Sequence, residues 1–443
     1  MGTVTAGPGK IPRAPGYRQL IDAIAALADA LVDTAIVVGE QATWLSADLK
    51  WSSHDYVKIE RTGDPSLYDG SAGIAWACAA VTSVLGRDDL GKLATRAINH
   101  ATAFADRVES FGLYEGLAGI GLVALHIGDV MEDRKIAASG SRLLRQCANS
   151  DIEGSDLISG WSGLGLAFVR AAQITNDDYW RQAAERAGEE LLARADRRPW
   201  GWSWPETANQ SGLCGLAHGA SGIAWVLSEI STLLETGRFK DAILGAIQYE
   251  RSWFDPAHNN WPDLRTDKTG SAGDGGFKET DSRSKSLSFP AFWCHGAAGI
   301  GLARLAIYRK GNHASFAGEA AAALQATHTS AINYLISYDL PHGVSLCHGL
   351  GGQLDLLTEA YCTFGEVEHL HVAQALATQA FALLGNEVTR WPGGIRGIPS
   401  PGLMNGFAGA LQVLTRLLYP NIVPSPGLLT VSPDCTSLPP KVV

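Results

Sequence analysis

An all-α ring of helical hairpins is the fold this sequence predicts, on three observations. A Gly-x-x-Gly motif recurs seven times, its first glycines being Gly70, Gly116, Gly160, Gly219, Gly296, Gly349 and Gly406, at intervals of 44 to 77 residues. A recurrence on that scale is an internal structural repeat, and each interval has room for two helices and their loops. The segment before each motif is the more polar, as in Asp178 to Arg194, and the segment after it is small and apolar, as in Gly222 to Leu227 and Gly299 to Ala303. Polar segments suit outer helices, and helices apolar on several sides suit burial. Strand signals are sparse. A closed ring buries every inner helix, whereas an open solenoid needs polar caps. The uneven intervals and the closing seventh copy favour the ring.

Taken in order, residues 1–15 are rich in Gly and Pro and are expected to be disordered. From Tyr17 onward Leu20, Ile21, Ile24, Leu27 and Leu31 recur near the helical period. Residues 16–420 then form one domain. Glycine is expected at each helix entrance because it permits close backbone approach and unusual φ/ψ. Two stretches are irregular. Residues 262–289 are polar and Gly-rich and stand directly before Cys294, so a rim loop that touches the substrate is expected there. Residues 421–443 are Pro-rich and are expected to lie irregularly on the surface.

Composition narrows the function. The chain has 443 residues, 46% hydrophobic and 18% charged, which is globular, and a formal charge of −10, which argues against nucleic acid as a partner. No apolar run reaches the roughly 20 residues of a transmembrane span. Met1 to Arg13 contains no apolar signal-peptide region, and Ala6 stands where a myristoylation signal has Ser or Thr. Seven cysteines, an odd number, fit a cytoplasmic protein with thiols free or bound to metal.

The residues before the seven first glycines are Asp69, Glu115, Ser159, His218, His295, His348 and Asn405. If each motif opens an inner helix, these polar groups converge at one end of the ring, together with helix N-termini that favour anions. Two copies carry more. Cys294-His295-Gly296 and Cys347-His348-Gly349 place Cys-His pairs in register in successive repeats. One such pair alone would read as a buried cysteine with a capping histidine; two in register point to metal. Cys294, Cys347 and His348 make a Cys2His set suited to one zinc ion with a fourth position open, the form of a catalytic site. His218 lies outside the ligand set and is either a helix cap or a general acid/base. His295 could do the same work or only shape the pocket. Asp156, four residues before Gly160, is either an N-cap or an orienting carboxylate. Cys78, Cys147, Cys214, Cys362 and Cys435 read as core thiols.

These motifs together resemble the lanthionine synthetase C-like family, the cyclases of lanthipeptide biosynthesis, over roughly residues 17–420. The resemblance implies an α/α toroid, a double ring of seven inner and seven outer helices, with zinc at one end. It matches the family's zinc ligands to Cys294, Cys347 and His348, its catalytic histidine to His218 and its catalytic aspartate to Asp156. Two departures stand out: Pro290 occupies the place of an arginine found in nisin-type cyclases, and His295, as in many other members, replaces a tyrosine. Arg283 in the preceding loop is a candidate substitute for that arginine. The implied reaction is intramolecular Michael addition of a peptide cysteine to dehydroalanine or dehydrobutyrine, forming (methyl)lanthionine thioethers. The implied partners are a dehydrated precursor peptide with its leader and a dehydratase or kinase/lyase enzyme. Those other portions of a fused synthetase are absent from the sequence, which fits a stand-alone cyclase or an excised domain. Alternatives are another zinc thiol-alkylating enzyme of glutathione or prenyl type, and a non-catalytic scaffold. Prenyl transfer lacks a basic cluster near the motifs for diphosphate. A carbohydrate-active α/α barrel would need paired carboxylates, for which Asp69 and Glu115 are the offer.

Overall fold

The computed structural model describes residues 16–51, 56–207, 211–265, 287–311, 314–338, 340–394 and 397–432. Residues 1–15, most of the expected rim loop and Arg283 within it lie outside the described residues. The helices are, in chain order, α1 (Tyr17–Asp33), α2 (Ser71–Leu85), α3 (Asp88–Ala103), α4 (Leu117–Val130), α5 (Arg134–Ala148), α6 (Trp161–Thr175), α7 (Asp178–Arg194), α8 (Ala220–Leu233), α9 (Lys240–Trp253), α10 (Ala297–Gly311), α11 (Ala314–Ile336), α12 (Leu350–Phe364), α13 (Val367–Leu384) and α14 (Phe407–Leu418). Every even-numbered helix begins one residue after the first glycine of a motif.

Burial separates the two rings. Eleven of the 14 residues of α4 are buried, against five of the 17 in α7. Each even helix packs on the next even helix, and α14 packs on α2, which closes the inner ring. Outer helices back the inner ones pairwise, with α1 covering α14, so the first helix of the chain seals the last repeat.

A continuous belt of backbone hydrogen bonds runs around the mouth of the inner ring. Tyr68 N donates to Tyr114 O (2.8 Å), Tyr114 N to Ile158 O (3.0 Å), Leu157 N to Ala217 O (2.9 Å) and Ala217 N to Cys294 O (3.2 Å). Trp293 N donates to Cys347 O (3.1 Å), Cys347 N to Met404 O (2.8 Å) and Met404 N back to Tyr68 O (2.8 Å). The belt satisfies buried backbone groups at the loop turns and sets all seven helix entrances in one plane of contact.

The glycines serve this close approach more than unusual dihedrals. Gly70, Gly116, Gly160, Gly219, Gly349 and Gly406 all have negative, extended φ, which corrects the expectation of unusual φ/ψ. A Cβ on Gly119 would lie 1.9 Å from Leu113 O, where no side chain fits. Gly296 is the exception among the first glycines, with φ +88° and an ideal Cβ position 1.7 Å from Pro290 O.

Among the described residues, three two-stranded antiparallel pairs interrupt the helical pattern: β1 (Ile36–Val38) with β2 (Gln41–Thr43), β3 (Leu45–Trp51) with β4 (Tyr56–Thr62), and β5 (Asp196–Arg198) with β6 (Gly201–Ser203). The first two stand between α1 and α2. No helix among the described residues is long and apolar enough to cross a membrane.

The chain after α14 corrects another expectation. Its backbone is irregular, but residues 423–430 are buried rather than on the surface. Gly427 O accepts from Trp293 Nε1 (3.0 Å), Leu429 O from Arg170 Nε (3.0 Å) and Pro424 O from Gln412 Nε2 (3.2 Å). Ser425 Oγ and Gly427 N both donate to Asp355 Oδ2. The segment therefore packs against α6, α12 and α14, satisfying polar groups those helices bury. Cys362 is disulfide-bonded, not a core thiol; Cys435 lies outside the described residues.

Candidate active site

The belt residue of each repeat stands two before the first glycine, so the next residue projects at the same mouth. In the fifth and sixth repeats the belt residues are Cys294 and Cys347, both buried. Their sulfurs and one ring nitrogen of His348 lie within 4.8 Å of one another, with Cys347 Sγ 4.0 Å from His348 Nε2. Donors on a tetrahedral zinc with Zn–S of about 2.3 Å and Zn–N of about 2.0 Å stand roughly 3.5–3.8 Å apart. The trio thus needs only a small contraction to hold such an ion.

The thiol electrostatics fit the same group. Burial raises Cys294, but the neighbouring Cys347 and the charge of His348 bring it well below its ordinary value. Cys347 moves the other way, raised by burial and by Cys294. Two thiols here compete to carry one negative charge, and a dication between them removes the competition by ionising both.

His218 and Asp156 meet beside this trio. His218 Nδ1 is 2.5 Å from Asp156 Oδ2. Asp156 Oδ1 accepts from Ser159 N (2.9 Å) and Ser159 Oγ (3.2 Å). Asp156 is not the N-cap of α6, which is Gly160 without a side-chain cap; it braces its own turn with one oxygen and faces His218 with the other. Burial opposes protonation of His218, but the Asp156 hydrogen bond and charge outweigh it and raise its pKa above the ordinary 6.5. The partner effect is reciprocal: burial would raise Asp156, and His218 with Ser159 lowers it. His295 stacks on His218 with ring centroids 5.6 Å apart. Burial pushes His295 down to about 4, so its ring is neutral at pH 7.

The remaining motif residues face the other side of the trio. Asp69 Oδ1 and Oδ2 accept from Asn405 N (3.1 Å) and Nδ2 (3.0 Å), and burial pushes the Asp69 carboxyl up to about 7 against those bonds. Asp69, Glu115, Asn405 and the candidate ligand His348 line a cavity of about 1080 Å³ whose far wall includes Val38 of β1 and Arg61 of β4. Asp69 is thus committed to Asn405 rather than paired with Glu115 across a scissile bond.

Sequence reasoning missed three groups. Tyr68 donates from its hydroxyl to Cys347 Sγ (3.1 Å); its register with Cys294 and Cys347 was the available signal. Arg265 pairs with Asp263 (2.6 Å), and its charge acts on His218, His295 and both cysteines. It is the loop arginine that the described structure brings to the site. Glu250 of α9 accepts from Gly215 N (2.9 Å), Ser221 N (3.1 Å) and Ser221 Oγ (2.5 Å), fixing the turn that carries His218. No spacing connects Glu250 to that turn.

Comparison with known proteins agrees with this architecture. The solved structure of nisin cyclase is similar at a TM-score of 0.62 and 18% identity, over 84% of this chain and 94% of that one. A family 76 α-mannanase from Bacteroides thetaiotaomicron reaches a TM-score of 0.47 at 9% identity, over 90% of this chain and 95% of that one, too distant to carry an argument. The first likeness shows the shared helical toroid. The family model for "Lanthionine synthetase C-like protein" matches residues 61–430, from β4 through the buried segment that follows α14. With both Cys-His-Gly motifs inside that span, this chain belongs to the lanthionine synthetase C-like family.

Proposed function

We propose that the chain is a zinc-dependent lanthipeptide cyclase, closing thioether rings in a dehydrated precursor peptide supplied by a dehydratase or kinase/lyase. The observation that carries this reading is the Cys294–Cys347–His348 trio at the ring mouth with a carboxylate-supported histidine beside it. The cavity that His348 lines exceeds the roughly 300–1,000 Å³ typical of small-molecule sites, which suits a peptide segment.

A zinc ion held by the trio would supply a Lewis acid that keeps an incoming cysteine thiol ionised. The chain's own groups do the rest. The peptide thiol gives up its proton to solvent and its sulfur adds to the β-carbon of dehydroalanine or dehydrobutyrine, so that the S–H bond and the C=C π bond are broken and one C–S bond forms. The electron pair moves to the α-carbon and its carbonyl as an enolate. His218 donates a proton to the α-carbon, and Asp156 holds its imidazolium in the orientation and charge state for that transfer. Arg265 adds positive charge beside His218 and His295 at the same mouth. The toroid mouth brings both reacting groups of one peptide together, which lowers the entropic part of the barrier.

Two expected results test this. Elemental analysis of the purified chain should give near one zinc per chain, and a Cys347→Ala, His348→Ala double variant should retain none; full occupancy in the double variant overturns the ligand assignment. Because Asp156 holds His218 protonated above its ordinary 6.5, kcat for ring closure should fall only as pH rises through that raised pKa. Asp156→Asn removes the charge, so this alkaline limb should move toward lower pH. A limb that stays in place, followed by mass spectrometry of free cysteines over time, excludes His218 as the proton donor.

A further inference from the structure

Tyr68 occupies in the first repeat the register position that Cys294 and Cys347 occupy in the fifth and sixth. Its backbone is tied on both sides of the belt, donating from N to Tyr114 O (2.8 Å) and accepting at O from Met404 N (2.8 Å). Its ring stands edge-on to Tyr114, with centroids 6.3 Å apart and planes at 77°. That clamp aims the phenol across the mouth, where its hydroxyl lies 3.1 Å from Cys347 Sγ. Tyr68 also lines the cavity shared with His348. A phenol is a proton donor, and a cysteine sulfur that held a metal would be an anionic acceptor, so with metal bound the contact would be charge-assisted.

We propose that Tyr68 is a positioning residue for the metal centre, its hydroxyl hydrogen-bonded to the Cys347 sulfur from two places round the ring, past Met404 of the seventh repeat. The inference rests on the metal-site reading above. The bond fixes the direction of the Cys347 sulfur. It also draws charge away from that sulfur. Less charge would then reach a metal held by the trio, leaving it a stronger Lewis acid toward a thiol. Groups that hold metal ligands in this way are typically worth about 10–100-fold in metal affinity or activity. The contact joins the first repeat to the sixth, so the finished site requires a closed ring.

The molecule contains its own control. Tyr114 is the belt residue of the next repeat, is fully buried, and has a hydroxyl without a hydrogen-bond partner among the described residues. Removing either hydroxyl deletes the same atom from the same belt, but of the two only Tyr68 makes a hydrogen bond to a candidate ligand.

The test uses the full chain loaded with Co²⁺, whose sulfur-to-metal charge-transfer absorption reports the cysteine sulfurs directly. Tyr68→Phe should bind cobalt and zinc about 10–100-fold more weakly in chelator competition and shift the charge-transfer band. Its cobalt form should also bind N-acetylcysteine more weakly than wild type. Tyr114→Phe should match wild type in all three measurements. A Tyr68→Phe chain with wild-type affinity and an unmoved band overturns the proposal. So does equal loss in both variants, which would assign the effect to packing. A wild-type chain that shows no cobalt–sulfur band at all overturns the metal-site reading itself, a different failure from either.

Discussion

His218→Asn is expected to keep zinc and bind the peptide but to close rings about 10²–10⁴-fold more slowly, the usual worth of a positioned general acid or base. The expectation follows from division of labour at the mouth. His218 lies outside the ligand trio, so its loss leaves the metal in place. It faces Asp156 at 2.5 Å, an arrangement that orients the imidazole and favours its charged form. Asparagine keeps a polar side chain near Asp156 but transfers no proton in this range. Counting free cysteines in a dehydrated precursor over time, alongside metal analysis, separates the two roles. Ring closure at the wild-type rate would remove His218 from the mechanism and move the assignment to His295. A variant that loses zinc as well would show that the histidine supports the metal.

Glu250→Ala is expected to reduce stability by about 3–5 kcal/mol, the cost of breaking a buried ion pair by removing one partner. Glu250 and Arg304 side chains are both 0% exposed and 2.7 Å apart. Without the carboxylate, Arg304 keeps Glu319 on one side (2.6 Å) and loses its partner on the other. Gly215 N and Ser221 N lose their acceptor in the same step. Denaturant unfolding followed by tryptophan fluorescence gives the change; a loss below about 1 kcal/mol would place this pair among those that contribute little. Glu250→Gln keeps an acceptor of the same shape and should fall between wild type and alanine. Because the Gly215–Ser221 turn carries His218, the alanine variant should also close rings more slowly under conditions where it remains folded.

Much of the architecture was legible because it repeats. Small apolar runs after each glycine pair mark helices that cannot face water, and α4 and α12 are buried nearly all round. Polar runs such as Asp178 to Arg194 became outer helices. The clustering of Cys294, Cys347 and His348 was legible for the same reason: a Cys-His pair in register in two successive repeats places both at the same height in neighbouring turns. Charged residues inside apolar helices gave no such signal. Arg170, Glu229, Arg304, Asp355 and Arg416 are all buried, and their pairs join different repeats. A sequence names each charge but not the one opposite it.

The sequence by itself determined the repeat, the two classes of helix, the end at which polar groups gather and the trio of candidate metal donors, because each follows from local periodicity and register. Only the tertiary structure decided the contacts made across the ring. Asp156 could have capped a helix or supported His218, and the choice turns on where the fourth repeat brings its histidine. Tyr68 carried no reading in the sequence, and it is closure of α14 on α2 that brings its hydroxyl to Cys347. The segment 423–430 looked like a surface tail, yet the charged and polar groups that α6, α12 and α14 bury need its backbone and Ser425 as partners. Buried polar groups must be satisfied, and which distant segment satisfies them is fixed only when the ring has closed.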